Sequence, residues 1–383
     1  MSKTNSIDID GLLKSIGQPK IEVSDDEIKI KVKLQKQADE LSESREIIRK
    51  LARRDYTRDA LLEALGTDIS KVIKIPAPKI GVRKKIGKPE DAVLLVSDAH
   101  IGEKIEYDMT NGINEYNIDI FKKRLQTLAI SVHDIVSLHS HMYPLENLWL
   151  LFLGDILDNE TIYKGHKLHI ETGVMRQFKI AVEEFTGFIA IMLQLFPHIH
   201  VIGLPGNHGR IGMFGEATDD TNWDNIFYHA LRERFANNDR IDFYISDSWF
   251  TVLDIKGHNC LCWHGECVKS SAGIPWGGVN KALQAMIGMT KIMIDYMFMG
   301  HYHTAGRTEN SFGEMLVNGA FPGPSPFELK QVMKASQPSQ WFFGMNESRG
   351  ITWSYKLDLN SKPKLGILRK DKVKATKKVK SKK

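Results

Sequence analysis

The chain has 383 residues, of which 42% are hydrophobic and 26% are charged, and its formal net charge is +5. These values are typical of a globular protein with a sizeable core, and they exclude collagen-like, disulfide-scaffold and wholly disordered classes. The apolar runs are short or interrupted and the first residues, MSKTNSIDID, are polar, so we predict neither a membrane span nor a secretion signal. Three cysteines within eight residues suit a reducing compartment, which predicts a cytoplasmic location.

The first 90 residues divide into three segments by composition. Residues 1–23 are polar and unpatterned, and we predict that they are disordered. Residues 24–66 begin with a capping box at Ser24 and carry leucines at helical spacing, which predicts a helical extension. Its short, imperfect heptad pattern suits homo-oligomer formation, a nucleic-acid contact or a merely solvated extension. Residues 67–90 are rich in proline, glycine and basic residues and form a predicted linker.

From residue 91 to residue 360, short apolar runs alternate with longer amphipathic segments. The pattern predicts strands at residues 92–96, 148–153, 200–204, 259–263 and 297–299. It predicts helices at residues 120–138, 175–195 and 223–235. Alternation of strands and helices is typical of an α/β domain built in layers.

The last segment, residues 361–383, is a polybasic tail. Residues 362–383 carry eleven Lys or Arg and one Asp, a net charge of +10, so the other 361 residues sum to −5. Such a tail attracts polyanions without sequence preference. A solvated terminus that aids solubility is an equally simple interpretation.

Five of the predicted strands end in a polar cluster of metal-ligand residue types. The clusters are D-A-H at 98–100, G-D-I-L-D at 154–158, G-N-H at 206–208, H-G at 264–265 and G-H-Y-H at 300–303. Because the carboxyl ends of the strands of an α/β fold meet at one edge, these side chains can lie close together. Each cluster alone is weak evidence, but five in this order, each behind an apolar run, are very improbable by chance.

The five clusters resemble the calcineurin-like metallophosphoesterase superfamily, whose pattern is D-x-H, G-D-x-x-D, G-N-H, H and G-H-x-H. The match covers residues 92 to about 320 without substitution. The resemblance implies a four-layer α/β/β/α sandwich that holds two divalent metal ions. The implied ligands are Asp98, His100 and His303 for one ion, Asn207, His264 and His301 for the other, and Asp155 as a bridge between them.

The same resemblance implies which residues act on the substrate. His208 would lie beside the substrate phosphate without binding metal, and Asp158 would orient it. A histidine in that place can protonate the leaving alkoxide or stabilise charge on the phosphoryl oxygens. Arg210 is two residues further along and is a candidate phosphate ligand, whereas His166 and His169 are better explained as surface or structural residues than as substrate contacts.

The chemistry of such a ligand set favours particular metals. A carboxylate between two cations about 4 Å apart lets them share a hydroxide and clamp the phosphate oxygens during in-line attack. Imidazole, carboxylate and amide ligands together favour Mn, Fe or Zn over Ca, and we expect Mn.

Two other features allow a functional and a packing interpretation. Cys260, Cys262 and Cys267 flank His264 and suggest zinc, but Cys260 and Cys262 alternate with apolar residues on a strand, which favours core packing. Trp276 precedes two glycines and can stack on a base, although a hydrophobic anchor is the simpler interpretation.

The clusters do not choose among the activities of the superfamily, which include protein phosphatases, nucleotide and cyclic-nucleotide hydrolases, and the Mre11- and SbcD-like nucleases. Asn159 and Glu160 stand where the protein Ser/Thr phosphatase branch has Arg-Gly, which disfavours that branch. The basic tail, the basic linker and the helical extension favour nucleic acid as the partner, with no membrane. Residues 317–321 and 350–359 also resemble phage-encoded members.

We therefore predict a metal-dependent nuclease or DNA-end-processing phosphoesterase. The alternative is a small-molecule nucleotide phosphatase or cyclic-nucleotide phosphodiesterase. A third, non-enzymatic hypothesis is a scaffold that keeps the metal site for structure, and the intact clusters disfavour it.

Overall fold

The computed structural model describes residues 88–140, 143–212, 218, 221–269, 273–332 and 335–360. The predicted helical extension, all but the end of the predicted linker and the predicted polybasic tail lie outside these residues. None of the helices within the described ranges combines the length and the apolar character needed to cross a bilayer.

The strands and helices of the described residues alternate along most of the chain. In chain order the strands are β1 (Glu90–Val96), β2 (Leu145–Phe152), β3 (His198–Gly203), β4 (Ile241–Ile245), β5 (Phe250–Ile255), β6 (His258–Trp263), β7 (Tyr296–Met299), β8 (Gly306–Asn310), β9 (Gly313–Val317), β10 (Ser339–Asn346) and β11 (Gly350–Asp358). The α-helices are α1 (Ile118–His139), α2 (Val174–Leu195), α3 (Trp223–Arg234) and α4 (Trp276–Thr290). Short 3₁₀ turns at Tyr107–Thr110 and His166–Leu168, and a π-helical turn at Glu328–Val332, lie in the loops.

The strands form two sheets. The first has the order β11-β10-β1-β2-β3-β4, in which β1 to β4 are parallel and β10 and β11 are antiparallel additions. The second has the order β5-β6-β7-β9-β8, in which β6, β7 and β9 are parallel. In both sheets, parallel neighbours bring the carboxyl ends of their strands to the same edge.

The side chains of β1 alternate between two cores. Leu94 and Val96 face the core that α1, α2 and α3 cover, while Val93 and Leu95 face the core between the two sheets. On the far side of the second sheet, α4 packs its Leu283 over the outer face. These layers form an α/β/β/α sandwich, so the predicted fold class of the domain is confirmed.

The strands and helices predicted between residues 91 and 360 are present, with shifted boundaries. The largest shift is at β2, which begins at Leu145 because its first residues pair with the start of β1. The pattern did not identify β4, β5, the strands after β7 or α4, most of which are short or only partly buried. Cys260 and Cys262 lie in the core between the sheets, as predicted. Trp276, the first residue of α4, packs against the outer core.

A buried polar network joins the two sheets next to the end of β1. The Gln340 side-chain carbonyl accepts from the Ser97 N–H at 3.0 Å and from the Asn318 amide at 2.6 Å. Its amide group donates to the main-chain oxygens of Ser97 and Gly319. Gln340 and Asn318 are fully buried, so water cannot replace a lost partner.

We expect Gln340→Met to destabilise the fold by about 3 kcal/mol, because a side chain of similar size leaves several buried polar groups unsatisfied. Urea unfolding measures the loss as a lower midpoint. Gln126→Met, on the exposed face of α1, is the matched control and should change the midpoint little. Equal midpoints for the two variants would contradict the assigned role of the network.

Candidate metal centre

The five predicted clusters follow the carboxyl ends of β1, β2, β3, β6 and β7, and the chain turns sharply after several of these strands. Asp98, His100, Asp155, His301 and His303 all have left-handed backbone conformations, with φ between 42° and 71°. Residues other than glycine rarely adopt this conformation, and it concentrates where packing forces it at functional sites. The turns lift these side chains off the strands and into one place.

The first group of candidate ligands consists of Asp98, His100 and His303, whose candidate donor atoms lie within 4.8 Å of one another. His303 Nε2 is 3.1 Å from His100 Nε2 and 3.5 Å from Asp98 Oδ1. The main-chain N–H of His301 donates to the Asp98 carboxylate at 3.0 Å, which fixes the position of that carboxylate.

The other nitrogens of these two imidazoles face carboxylates. His100 Nδ1 is 3.0 Å from Asp158 Oδ1, and His303 Nδ1 is 3.4 Å from Glu328 Oε1. When both Nδ1 atoms carry protons, both Nε2 lone pairs point at each other, so the contact requires a positive charge between the rings. A proton on one ring or a divalent cation satisfies this requirement, and outer carboxylate partners of this kind are typical of metal-binding histidines.

The second group consists of Asp155, His264 and His301, with Asn207 beside them. His264 Nδ1 lies 2.7 Å from the main-chain oxygen of Leu153, which can only accept, so Nδ1 donates and, in the neutral ring, the lone pair is on Nε2. His264 Nε2 is 3.0 Å from Asp155 Oδ2 and 3.1 Å from Asn207 Oδ1. Several acceptors therefore converge on one point, which is the donor arrangement that a cation fits.

Asp155 lies between the two groups. Its Oδ1 accepts from the His208 main-chain N–H at 2.7 Å, while its Oδ2 is 3.0 Å from His264 Nε2 and 3.8 Å from His100 Nε2. One carboxylate oxygen thus faces an imidazole of each group. The structure brings the seven predicted ligands close together.

The carboxylates change the pKa values of the histidines beside them. Burial lowers the pKa of His264, but the charge and hydrogen bond of Asp155 outweigh burial and raise this pKa well above its ordinary value. Burial likewise lowers the pKa of His303, and contacts with Asp98 and Glu328 outweigh it and raise this pKa to about 10. The carboxylates therefore hold positive charge in the site.

Asp158 contacts three imidazoles. Its Oδ1 is 3.0 Å from His100 Nδ1 and 3.1 Å from His208 Nδ1, and its Oδ2 is 2.9 Å from His166 Nε2. The main-chain N–H of Ile162 donates to His166 Nδ1, so the proton of this buried ring is on Nε2 and points at Asp158. The sequence favours a surface or structural role for His166, whereas the structure places it in direct contact with the predicted orienting residue.

His208 lies at the rim of the site, and 18% of its side chain is exposed. Its Nδ1 also lies 3.0 Å from the main-chain oxygen of Asp158, so Nδ1 donates and Nε2 stays available to a substrate. Burial lowers the pKa of His208, but Asp155 and Asp158 outweigh it and raise the pKa to about 9. Arg210 lies beside it, with Nε donating to the main-chain oxygen of Asn207 at 2.9 Å.

Glu103, five residues after Asp98, is a further carboxyl group near the site. Burial and the charge of Asp158 raise its pKa to about 8. Its Oε2 is buried without a hydrogen-bond partner among the described residues. His169 makes main-chain hydrogen bonds with Lys104 and His166.

Sequence reasoning missed Asp224, which holds the loops after β2 and β3 together. Its buried carboxylate accepts from the main-chain N–H groups of Asp155, Ile156 and Gly206 at 2.9 to 3.0 Å. Burial and the charge of Asp155 raise the pKa of Asp224 to about 6, although the three hydrogen bonds oppose this. Asn222, the N-cap of α3, was the available signal, because a capped helix start with an acidic first turn is visible in sequence.

Asn159 was also missed as a positioning residue. Its side-chain amide donates to the main-chain oxygens of His208 and Arg210, both at 2.8 Å, and thereby attaches the third cluster to the second. A side chain at Gly206 would overlap the Asp155 carboxylate, so this glycine allows the two loops to approach.

No protein-family model matches the chain, and no curated protein matches it. Among solved structures, the chain is similar to the Zn²⁺ complex of Vps29 from Entamoeba histolytica, with 14% identity, a TM-score of 0.31, and coverage of 70% of this chain and 99% of that one. It is similar to a predicted phosphoesterase from Streptococcus pneumoniae, with 9% identity, a TM-score of 0.27, and coverage of 70% and 98%. An archaeal phosphodiesterase has 10% identity, a TM-score of 0.29, and coverage of 70% and 99%. At these identities and TM-scores the matches do not define a family for this chain.

We expect Asp224→Asn to weaken metal binding by about 10- to 100-fold, although Asp224 is not a predicted ligand, because outer partners of a metal site orient its ligands. The amide has only one acceptor oxygen for three main-chain N–H groups. A calorimetric titration with Mn²⁺ measures the change in metal affinity. Asp239→Asn, at an exposed position, is the control, and equal affinities for both variants would show that Asp224 does not support the site.

Proposed function

We propose that this chain is a dinuclear metal-dependent phosphoesterase that hydrolyses phosphodiester bonds in nucleic acid. The observation that carries the proposal is the position of Asp155 Oδ2, which faces His264 of one ligand set and His100 of the other. A carboxylate oxygen shared in this way is suited to bridging two cations. Such a pair is the usual arrangement of two-metal hydrolases that act on phosphate esters.

The ligand set supports the choice of metal. Asp98, His100 and His303 would hold one ion, and Asn207, His264 and His301 the other, with Asp155 shared. The mixture of imidazole, carboxylate and amide favours Mn, Fe or Zn. Two such ions would supply a water nucleophile activated at neutral pH and would neutralise charge on the phosphate oxygens.

The protein's own residues would then manage the substrate. His208 uses its Nδ1 for Asp158, which leaves Nε2 of this partly exposed ring to donate a proton to a leaving alkoxide. Asp158 holds the rings of His100 and His208 with one carboxylate oxygen, and His166 fixes the other oxygen. The orientation of the proton donor and of one metal ligand therefore depends on the same carboxylate.

A nucleobase-containing substrate is supported by Tyr163. Its ring stacks on His166 with centroids 4.3 Å apart and an interplanar angle of 25°. The residue is 50% exposed, so it offers an aromatic surface beside the contacts that His166 makes with Asp158. Stacking on such a surface is a common way for proteins to hold an unpaired base.

The Tyr163 ring could also stack on the base of a mononucleotide. A nucleotide phosphatase or cyclic-nucleotide phosphodiesterase therefore remains the alternative function. The net charge of +10 on residues 362–383 favours a longer polyanion. The two candidates differ in the substrate that the enzyme cleaves fastest, which is measured directly.

The decisive experiment is a substrate panel with added Mn²⁺, consisting of single-stranded DNA, duplex DNA, RNA, mononucleotides and cyclic nucleotides. We expect turnover of nucleic acid that a chelator abolishes and Mn²⁺ restores. Asp155→Asn should lose bound metal and at least about 10³-fold in activity, because several kcal/mol of charge stabilisation disappear. Asp134→Asn, on the exposed face of α1, should keep the metal content and the activity of wild type. Turnover that survives complete removal of metal would refute the proposed function.

The contribution of Tyr163 is tested separately. We expect Tyr163→Ala to raise KM for single-stranded DNA by about 5- to 150-fold, the equivalent of about 1–3 kcal/mol of base stacking, whereas Tyr163→Phe keeps the ring and the affinity. An abasic oligonucleotide is the control substrate, and its KM should not change. If KM rises equally for both substrates, Tyr163 supports His166 and does not stack on a base.

A further inference from the structure

A second group of metal-ligand residues lies at the opposite end of the first sheet. His198 begins β3, and His200 follows it two residues later on the same face of the strand. In the register between β3 and β4, His200 pairs with Asp242, so the three side chains share one face. Two histidines at alternate positions of a strand, with a carboxylate on its neighbour, can converge on one point.

The distances agree with this geometry. His198 Nε2 is 2.8 Å and His200 Nδ1 is 3.4 Å from the same oxygen, Asp242 Oδ2. The two rings lie with centroids 4.6 Å apart, and all three candidate donor atoms fall within 4.8 Å of one another. Small side-chain rotations are enough to place three donors about 2.0–2.2 Å from one cation.

This group is separate from the candidate centre described above. Asn207 and His208 follow the carboxyl end of β3, whereas His198 is its first residue. A strand rises about 3.3 Å per residue, so the six residues of β3 alone separate the two places by more than about 15 Å.

The surroundings hold the ligands and leave them accessible. The Trp149 ring packs on the His200 ring with centroids 4.4 Å apart, and Trp149 Nε1 donates to Asp91 Oδ2 at 3.0 Å, which fixes the indole. The side chains of His198 and His200 are 28% and 25% exposed, and that of Asp242 is 67% exposed. A metal ion can therefore enter from solvent and keep water at its remaining positions.

We propose that His198, His200 and Asp242 bind one divalent transition-metal ion. Two imidazoles and one carboxylate favour Zn²⁺, Cu²⁺ or Ni²⁺, and they disfavour Ca²⁺ and Mg²⁺, which prefer all-oxygen ligands. In the described sheet β4 is an edge strand that pairs with β3, so the ion ties this edge to the rest of the sheet. The consequence is a folded state that this metal stabilises independently of catalysis.

The test counts metal ions on the full-length protein. After removal of metal and dialysis against Zn²⁺, elemental analysis should give one ion fewer per chain for the double variant His198→Ala/His200→Ala than for wild type. If the double variant does not fold, Asp242→Asn replaces it, because this change affects only an exposed side chain. Asp242→Asn should bind the ion proposed for His198, His200 and Asp242 more weakly than wild type does. His133→Ala, on the exposed face of α1, is the matched control and should keep every ion.

A fluorescence titration gives an independent readout. Cu²⁺ bound next to Trp149 should quench the emission of this indole, and the quenching should be lost in Asp242→Asn and in Trp149→Phe. Hydrolysis of a small phosphodiester by Asp242→Asn should equal that of wild type, which separates this site from the proposed catalytic centre. Equal numbers of ions in wild type, the double variant and Asp242→Asn, with unchanged quenching, would show that the three residues form only hydrogen bonds.

Discussion

The candidate centre depends on the burial of two carboxylates that need positive charge beside them. Asp98 and Asp155 are at most 1% exposed, and an unpaired charge at such a depth is very costly. The imidazoles around them meet this need by carrying protons or by holding cations in place of those protons. Because His264 Nδ1 donates to a main-chain oxygen, its Nε2 is committed to the carboxylate side. The same arrangement that stabilises the acids thus forms a group of side chains that could hold metal ions.

The backbone around these acids is held by tertiary contacts. Left-handed residues at the strand ends cost on the order of 1–3 kcal/mol each when packing does not favour them. Asp224 offsets part of this cost by accepting three main-chain N–H groups from the two loops that carry Asp155 and Gly206. The buried network around Gln340 does the same beside Asp98, since it fixes Ser97 between the two sheets. The positions of the candidate ligands therefore depend on Asp224 and Gln340, which are not among the predicted ligands.

Residue order was enough to predict the layers and that the five polar clusters lie together, because each cluster follows an apolar strand and the carboxyl ends of such strands meet. The assignment of seven ligands within those clusters came from the family resemblance and stays a prediction. It was not enough to predict Asp224 or Asn159, since their roles depend on which main-chain groups the fold brings to them. His166 illustrates the same limit. Its place in a loop after the second cluster is visible in sequence, but its contact with Asp158 arises only when the loop folds back.

The histidines of β3 show how an error in a strand boundary hides a site. A strand predicted to begin at residue 200 leaves His198 in a loop, where it has no fixed relation to His200. The observed strand begins at His198 because this residue pairs with Asn147 of β2, and the two imidazoles then share a face. Asp242 adds the third ligand through a register between strands that are about 40 residues apart in sequence. A metal-ligand pattern within one strand is therefore readable from sequence only when its boundary is known, and a ligand from the neighbouring strand requires the sheet.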